Sequence, residues 1–276
     1  MRLGYNTNGL AHHSLPAAIE LLASLGYQSV AITLDCACLN PYGEHFQHEL
    51  HAIAELLARH QMRSVIETGT RYLLNPREKH EPTLVSAGEA DRLRRIDFLR
   101  RAIDAASVLK SDCVSLWSGV VRHSAGRDVA MSHLASGLRR VLDDAEQRNV
   151  VLGFEPEPGM LIDTMESMTE LVDRVDSPRL GLTLDVGHLH CQGETPIADH
   201  IRHWGTRLVN VHIEDMRAGV HEHLMFGEGE IDFPPVIASL TQSGYDGGVH
   251  VELSRHSHDG PTAAAKAFAF LSPLLQ

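Results

Sequence analysis

The chain lacks any run near the roughly 18 consecutive apolar residues of a membrane span. Its opening segment, MRLGYNTNGL, has no apolar core of a secretory leader. The expectation is a cytoplasmic protein with no membrane partner. Cysteine is scarce, with four residues at positions 36, 38, 113 and 191. Cys36-Ala-Cys38 is neither a CxxC pair nor a zinc-finger spacing, so no disulfide framework or cysteine-rich zinc site is signalled. Basic residues are outnumbered, 24 Lys and Arg against 36 Asp and Glu, for a formal net charge of −12. A protein that lives on nucleic-acid phosphates carries a basic face, so no nucleic-acid partner is expected. No linker, low-complexity tract or step in composition divides the chain, and residues 1–276 read as a single domain.

What remains is ordinary globular material, 43% hydrophobic and 22% charged, with one unusual number, 19 histidines. Short Val-, Ile- and Leu-rich runs alternate with amphipathic patterns along the whole length. The expected strands are Arg2–Asn6, Ser29–Leu34, Arg63–Glu67, Asp112–Trp117, Val150–Glu155, Gly181–Asp185, Leu208–His212 and Gly248–Leu253. Such continuous apolar runs suit strands buried on both faces. Helical patterns fall between and after them: Ala17–Leu25, Glu44–His60, Asp91–Leu109, Met131–Arg148, Thr164–Val175, Ile197–Trp204, Phe233–Ser243 and Pro261–Leu275. Leu25-Gly26-Tyr27 and Ser243-Gly244-Tyr245 each read as a helix end with a C′ glycine feeding a strand. Eight strand–helix units of about 35 residues give the α/β fold class and a (β/α)₈ barrel. A doubly wound open sheet is the competitor, but no Gly-rich phosphate turn follows the first strand. The longest irregular stretches are Thr68–Ala90 and Met216–Ile231.

Barrel chemistry collects at the C-terminal ends of the strands. Strands five to eight end in VVLGFE, LGLTLD, LVNVH and GVHVE, placing Glu155, Asp185, His212 and Glu252 at the mouth. A carboxylate that closes a buried strand is costly unless paired or metal-bound. Three carboxylates and an imidazole suit one divalent cation: Mn²⁺, Mg²⁺, Co²⁺, Fe²⁺ or Zn²⁺. The blander alternative is that each acid caps the helix that follows it.

These motifs, together with Gly153-Phe-Glu155-Pro-Glu157-Pro-Gly159, Leu184-Asp185-Val-Gly-His188, Val211-His212-Ile-Glu-Asp215, and Phe226-Gly-Glu-Gly-Glu-Ile-Asp232-Phe233, resemble the xylose-isomerase-like TIM-barrel superfamily. It includes sugar-phosphate isomerases and epimerases, ketose 3-epimerases, inosose dehydratases and endonuclease IV. The resemblance covers nearly the whole chain and implies that Glu155, Asp185, His212 and Glu252 hold the metal. It also implies that Glu155 and Glu252 act as the catalytic pair on opposite sides of a substrate carbon, and that His188 and Arg217 contact substrate oxygens. The expected reaction is isomerisation or epimerisation of a small polyhydroxylated ketose, sugar phosphate or cyclic polyol ketone through an enediolate. Glu157 and Glu67 are further candidates at the substrate, and Glu67 opens a loop carrying Arg71, Lys79 and His80.

Two departures from the superfamily stand out. Relatives often end strand two in glutamate, where this chain reads Ala31-Ile-Thr33-Leu-Asp35. In endonuclease IV the strand-seven loop carries an Asp-x-His pair that helps bind a zinc cluster; here His221-Glu-His223 stands in that loop. The cluster's other histidines are not matched. Glu67 ends strand three, and strand four ends in Trp117-Ser118, with His123 further on. A second ion on His188 and His223, with Glu155 bridging, is compatible; a full three-zinc cluster is not expected. The competing readings are an inosose-type dehydratase, a multinuclear metal hydrolase, and a barrel that binds a ligand without catalysis. The resemblance is also compatible with a homo-oligomer.

Overall fold

Each short apolar run buries both faces, and among the described residues eight of them close into a parallel barrel in the order β1-β10-β7-β6-β5-β4-β3-β2. The strands are β1 (Arg2–Asn6), β2 (Ser29–Thr33), β3 (Arg63–Glu67), β4 (Val114–Leu116), β5 (Leu152–Phe154), β6 (Leu180–Asp185) and β7 (Leu208–Ile213); after a hairpin of β8 (Asp215–Arg217) and β9 (Val220–Leu224) comes β10 (Gly248–Val251). The computed structural model describes every residue except His123, Ala125 and Gln276. His123, expected beyond strand four, therefore lies outside the described residues.

Helices flank the barrel: α1 (Leu15–Leu25), α2 (Phe46–His60), α3 (Glu89–Leu109), α4 (Arg127–Gln147), α5 (Met165–Val175), α6 (Val186–Cys191), α7 (Ile197–Trp204), α8 (Phe233–Gln242) and α9 (Gly260–Leu271). Their ends follow local chemistry. Ser14 Oγ accepts from Ala17 N at 3.4 Å to start α1, and Gly26, at φ 100°, ends it by donating to the last carbonyls. Thr164 and Ser167 form a reciprocal capping box on α5. Apolar stripes such as Leu50, Ile53 and Leu57 of α2, and Leu134, Leu138 and Val141 of α4, pack into one continuous core cluster.

Four strands are shorter than expected: β2 ends at Thr33 rather than Leu34, and β4, β5 and β10 fall short of Asp112–Trp117, Val150–Glu155 and Gly248–Leu253. Regular pairing stops just before Trp117, Glu155 and Glu252, whose side chains then line the mouth. The backbone stays anchored: Glu155 N donates to Leu116 O at 2.9 Å and Glu252 N to Ile213 O at 3.1 Å. The segment Met216–Ile231, expected to be irregular, instead contains most of the β8–β9 hairpin. Asp215 organises it, with Oδ1 accepting from the N–H of Met216 and Ile231 and Oδ2 from those of Gly227 and Gly229. The helix α6, absent from the expected helices, begins directly after β6.

Inside the barrel, small side chains leave room for neighbours across it. Ala31, Val65 and Cys113 form a small buried cluster with Val151 and Val209. At Gly181 an added Cβ would stand 2.7 Å from Val209 Cγ1 and 2.8 Å from the Arg207 carbonyl oxygen. The backbone contact cannot rotate away, so Gly181→Ala is expected to cost about 1–3 kcal/mol. Urea unfolding of the variant beside the parent checks this; an unchanged midpoint would contradict the tight interior.

Candidate functional site

The barrel register brings four predicted ligands together. Asp185 and His212 are direct partners across β6 and β7, and His212 partners His250 of β10. Glu155 and Glu252 follow the ends of β5 and β10. One donor atom from each of Glu155, Asp185, His212 and Glu252 can be chosen so that all lie within 4.8 Å of one another. His212 Nδ1 stands 3.0 Å from Glu155 Oε1, 2.8 Å from Glu252 Oε2 and 3.9 Å from Asp185 Oδ2.

Asp185 is both helix cap and candidate ligand. Its Oδ1 accepts from His188 N at 2.7 Å as the N-cap of α6, while buried Oδ2 meets no hydrogen-bond donor. The cap fixes the carboxylate so that the free oxygen faces the quartet. His212 is oriented from behind: Glu67 Oε1 accepts from its Nε2–H at 2.9 Å, which leaves Nδ1 for the centre. Asn210 Nδ2 donates to the same Glu67 oxygen at 3.2 Å. His250 Nδ1–H donates to Asn210 Oδ1 at 2.8 Å, and Ser29 Oγ donates to His250 Nε2 at 2.8 Å. Burial, then the nearby His212, lowers the His250 pKa to about 3, so this interior ring is neutral. Asn8 Nδ2 donates to Glu252 Oε1 at 2.7 Å on the cavity side.

The charges show what the centre demands. Burial raises the Glu155 pKa to about 8, against the pull of His212. Burial opposes charge on His212, yet Glu67, Glu155 and Glu252 outweigh it and hold the imidazole well above its ordinary value. For Glu252 burial acts upward, but His212, His223 and His188 prevail and keep it below the usual carboxylate range. Buried carboxylates thus concentrate on one point and hold positive charge there. A divalent cation meets that demand with the unpartnered Asp185 oxygen as a ready donor, so this donor set fits a metal.

A second group lies beside the first. His188, His221 and His223 can bring one ring nitrogen each to within 4.8 Å of one another, as can donor atoms of Glu155, Glu157 and His188. His188 is buried on α6, its Nδ1 3.2 Å from the Pro156 carbonyl and its Nε2 without a hydrogen-bond partner. Burial lowers its pKa to about 4, opposed by Asp185, and burial also lowers that of His221. Both rings are therefore neutral near pH 7. Glu157 sits between them, 3.9 Å from His188 Nε2 and 3.8 Å from His221 Nε2. His223 Nδ1–H donates to the Glu252 carbonyl at 3.1 Å.

A cavity of about 570 Å³ opens above the quartet, walled by residues that include Asn8, Glu67, Glu155, Glu157, His212, His223 and Glu252. Arg217 does not line it. This expected substrate contact donates instead to the Glu228 carbonyl, just beyond the hairpin, at 3.0 Å. Glu67 does line the cavity, but its bonds go to His212 and Asn210. Asp35, which follows the departing strand two, binds Thr70 Oγ1 and the N–H groups of Arg71 and Cys36.

Asn8, Asn210, His250 and Glu214 escaped sequence reasoning. An Asn after strand one and a His inside a buried strand carry no periodic signal. Glu214 stood in plain view in His212-Ile-Glu214-Asp215. It is fully buried, and burial with Asp185 nearby pushes its pKa well above the ordinary range. Gly187 makes room for it, because a Cβ there would come within 2.0 Å of Glu214 Oε1.

A family model described as a xylose isomerase-like TIM barrel matches residues 19–274. The chain belongs to this family. It is 27% identical over 206 residues to L-ribulose-5-phosphate 3-epimerase UlaE of Salmonella paratyphi C, covering 74% of this chain and 72% of that protein. Among solved structures it is similar to D-allulose 3-epimerase from Methylomonas sp., with a TM-score of 0.79 and 21% identity over 100% of this chain and 98% of that one. A zinc-bound IolI protein superposes with a TM-score of 0.79 at 19% identity, over 100% and 98% of the two chains. Among the described residues no helix is long and apolar enough to cross a membrane.

Two outcomes follow from this geometry. Glu67→Ala, which frees the His212 ring, should weaken divalent-cation affinity about 10–100-fold in competition with a chelator. Glu155 and His212 must lose protons before they ligate, and both pKa values are raised. Affinity should therefore climb as pH rises through neutrality. The same chelator competition across pH 5–9 checks the sign, and a flat profile would contradict it.

Proposed function

We propose that the chain is a divalent-metal-dependent isomerase or epimerase of a small polyhydroxylated ketose or its phosphate. The carrying observation is the convergence of Glu155 and Glu252 on His212 Nδ1, at 3.0 and 2.8 Å, at the floor of a cavity large enough for a sugar. The relative's name, an L-ribulose-5-phosphate 3-epimerase, supports the same reaction class.

A cation bound by Glu155, Asp185, His212 and Glu252 would supply positive charge where the substrate's carbonyl and neighbouring hydroxyl gather negative charge. One glutamate, as carboxylate, removes the proton from the carbon next to the carbonyl. The C–H electron pair becomes the C=C bond of the enediolate. The other glutamate, as carboxylic acid, returns a proton to the opposite face, and the configuration inverts. Return at the neighbouring carbon gives the isomer instead. Which glutamate begins follows from the substrate's stereochemistry. Asn8 holds Glu252 in place, and Glu157, His221 and His223 on the cavity wall offer polar contacts around the sugar hydroxyls, whereas His188, an expected substrate contact, is buried behind that wall.

The three ring nitrogens of His188, His221 and His223 favour a second reading, a two-cation centre in which these histidines would hold a second ion beside the Glu155 quartet. Such a centre suits hydrolysis better than epimerisation. Titration of the metal-free protein with Zn²⁺ separates the two: one tight site supports the epimerase, and a second tight site removed by His221→Ala supports the hydrolase.

Incubation with a panel of ketoses and ketose phosphates in D₂O tests the reaction itself. The expected result is deuterium at the carbon beside the carbonyl in an epimer of unchanged skeleton. Glu155→Gln and Glu252→Gln should each lower the exchange rate at least about 100-fold with the fold intact. A product that has lost water would assign a dehydratase instead.

A further inference from the structure

We propose that the loop between β3 and α3 forms an anion subsite, in which Arg71 and Lys79 bind a phosphoryl or carboxylate group at the end of the substrate remote from the metal ligands. This rests on the epimerase reading for the identity of the rest of the substrate. Both residues line the cavity of about 570 Å³ that opens over the quartet.

The loop is built to hold them there. Asp35 fixes its start, with Oδ1 accepting from Thr70 Oγ1 at 3.2 Å and Oδ2 from Arg71 N at 3.1 Å. The chain then returns on itself: His80 N donates to the Arg71 carbonyl at 2.6 Å, and His80 Nδ1–H donates to the Thr70 carbonyl at 2.8 Å. The His80 ring packs edge-on against Trp117, with ring centroids 5.4 Å apart. Residues 71 and 79 are thereby brought side by side on the wall of the cavity. Burial lowers the His80 pKa to about 4, so this closure adds no charge of its own near pH 7.

The two cations are uncommitted, which sets them apart from their neighbours. Arg255, also on the cavity wall, is paired with Glu222 at 3.1 Å. Among the described residues neither Arg71 nor Lys79 has a carboxylate within salt-bridge distance. The one hydrogen bond from the Arg71 guanidinium is a long one, 3.4 Å to the Asn8 carbonyl. In a chain of net charge −12, two unpaired cations facing one cavity are a notable concentration of positive charge. A guanidinium presents a planar fork that matches two oxygens of an oxyanion, and an adjacent ammonium adds a second charge. Asn8 also sets the distance to the chemistry. Its carbonyl meets Arg71 while its side chain donates to Glu252 Oε1 at 2.7 Å. Asn8 thereby links the Arg71 guanidinium to the catalytic glutamate across the cavity wall.

The test combines binding and turnover on the metal-loaded protein. Inorganic phosphate is titrated by calorimetry into wild type, Arg71→Met, Arg71→Lys and Lys79→Met. Arg71→Met and Lys79→Met should each weaken phosphate about tenfold or more, with partial recovery in Arg71→Lys and unchanged metal content. Turnover is then compared for ketopentose 5-phosphates, the free ketopentoses and keto-uronates. The phosphate ester or the uronate should show a KM at least about tenfold below that of the free sugar. Arg71→Met should remove that advantage while kcat changes by less than about twofold. The preferred anionic substrate identifies the source, phosphoryl or carboxylate. Equal KM for charged and uncharged ketoses, or phosphate binding that ignores Arg71 and Lys79, would overturn the subsite and leave the epimerase reading standing. Phosphate binding that depends on Arg71 without turnover of any ketose would do the reverse.

Discussion

Four buried or half-buried carboxylates, Glu67, Glu155, Asp185 and Glu252, surround one imidazole, and the functional reading depends on how that charge is balanced. In a low-dielectric interior this much negative charge is costly without a positive centre. His212 shows the demand, because its neighbours drive it toward protonation despite complete burial. A divalent cation bound there would answer that demand with two charges at one point and, on the proposed function, would make the cluster reactive. The site's instability without compensation and its capacity for chemistry have the same origin.

The barrel makes this arrangement affordable in backbone terms. Each candidate ligand leaves a strand end held by main-chain hydrogen bonds, so only side chains need partners. The supporting groups reach deep into the barrel, from Glu67 through Asn210 to His250 and Ser29. This interior is hydrogen-bonded rather than purely apolar, and it fixes the His212 ring from below. Above the mouth, two structured loops shape the cavity. The β8–β9 hairpin is organised by Asp215, and the β3–α3 loop is closed by Asp35 and His80. One carries His221 and His223, and the other carries Arg71 and Lys79.

The strand ends were legible because their pattern is extreme: an apolar run that stops at an acid or a histidine, repeated in four successive units. The barrel followed from the same alternation, and LGY and SGY correctly marked helix ends at Gly26 and Gly244. The partners of the ligands were not legible. Whether Glu67 faces substrate or braces His212 depends on a contact across 145 residues of sequence, which no local spacing encodes. Arg217 was assigned by resemblance, and its guanidinium instead donates to the Glu228 carbonyl just after the hairpin, off the cavity wall. The double role of Asp185 reconciles two readings that looked exclusive, since one oxygen caps α6 and the other remains free.

The most direct measurement is elemental analysis of the purified protein, after equilibration with Mn²⁺, Co²⁺ or Zn²⁺ and gel filtration, with Asp185→Asn alongside. About one ion per chain in wild type, lost in the variant while the fold is retained, is what a cation-centred carboxylate cluster predicts. Wild-type protein that holds no ion under any of these conditions would contradict it.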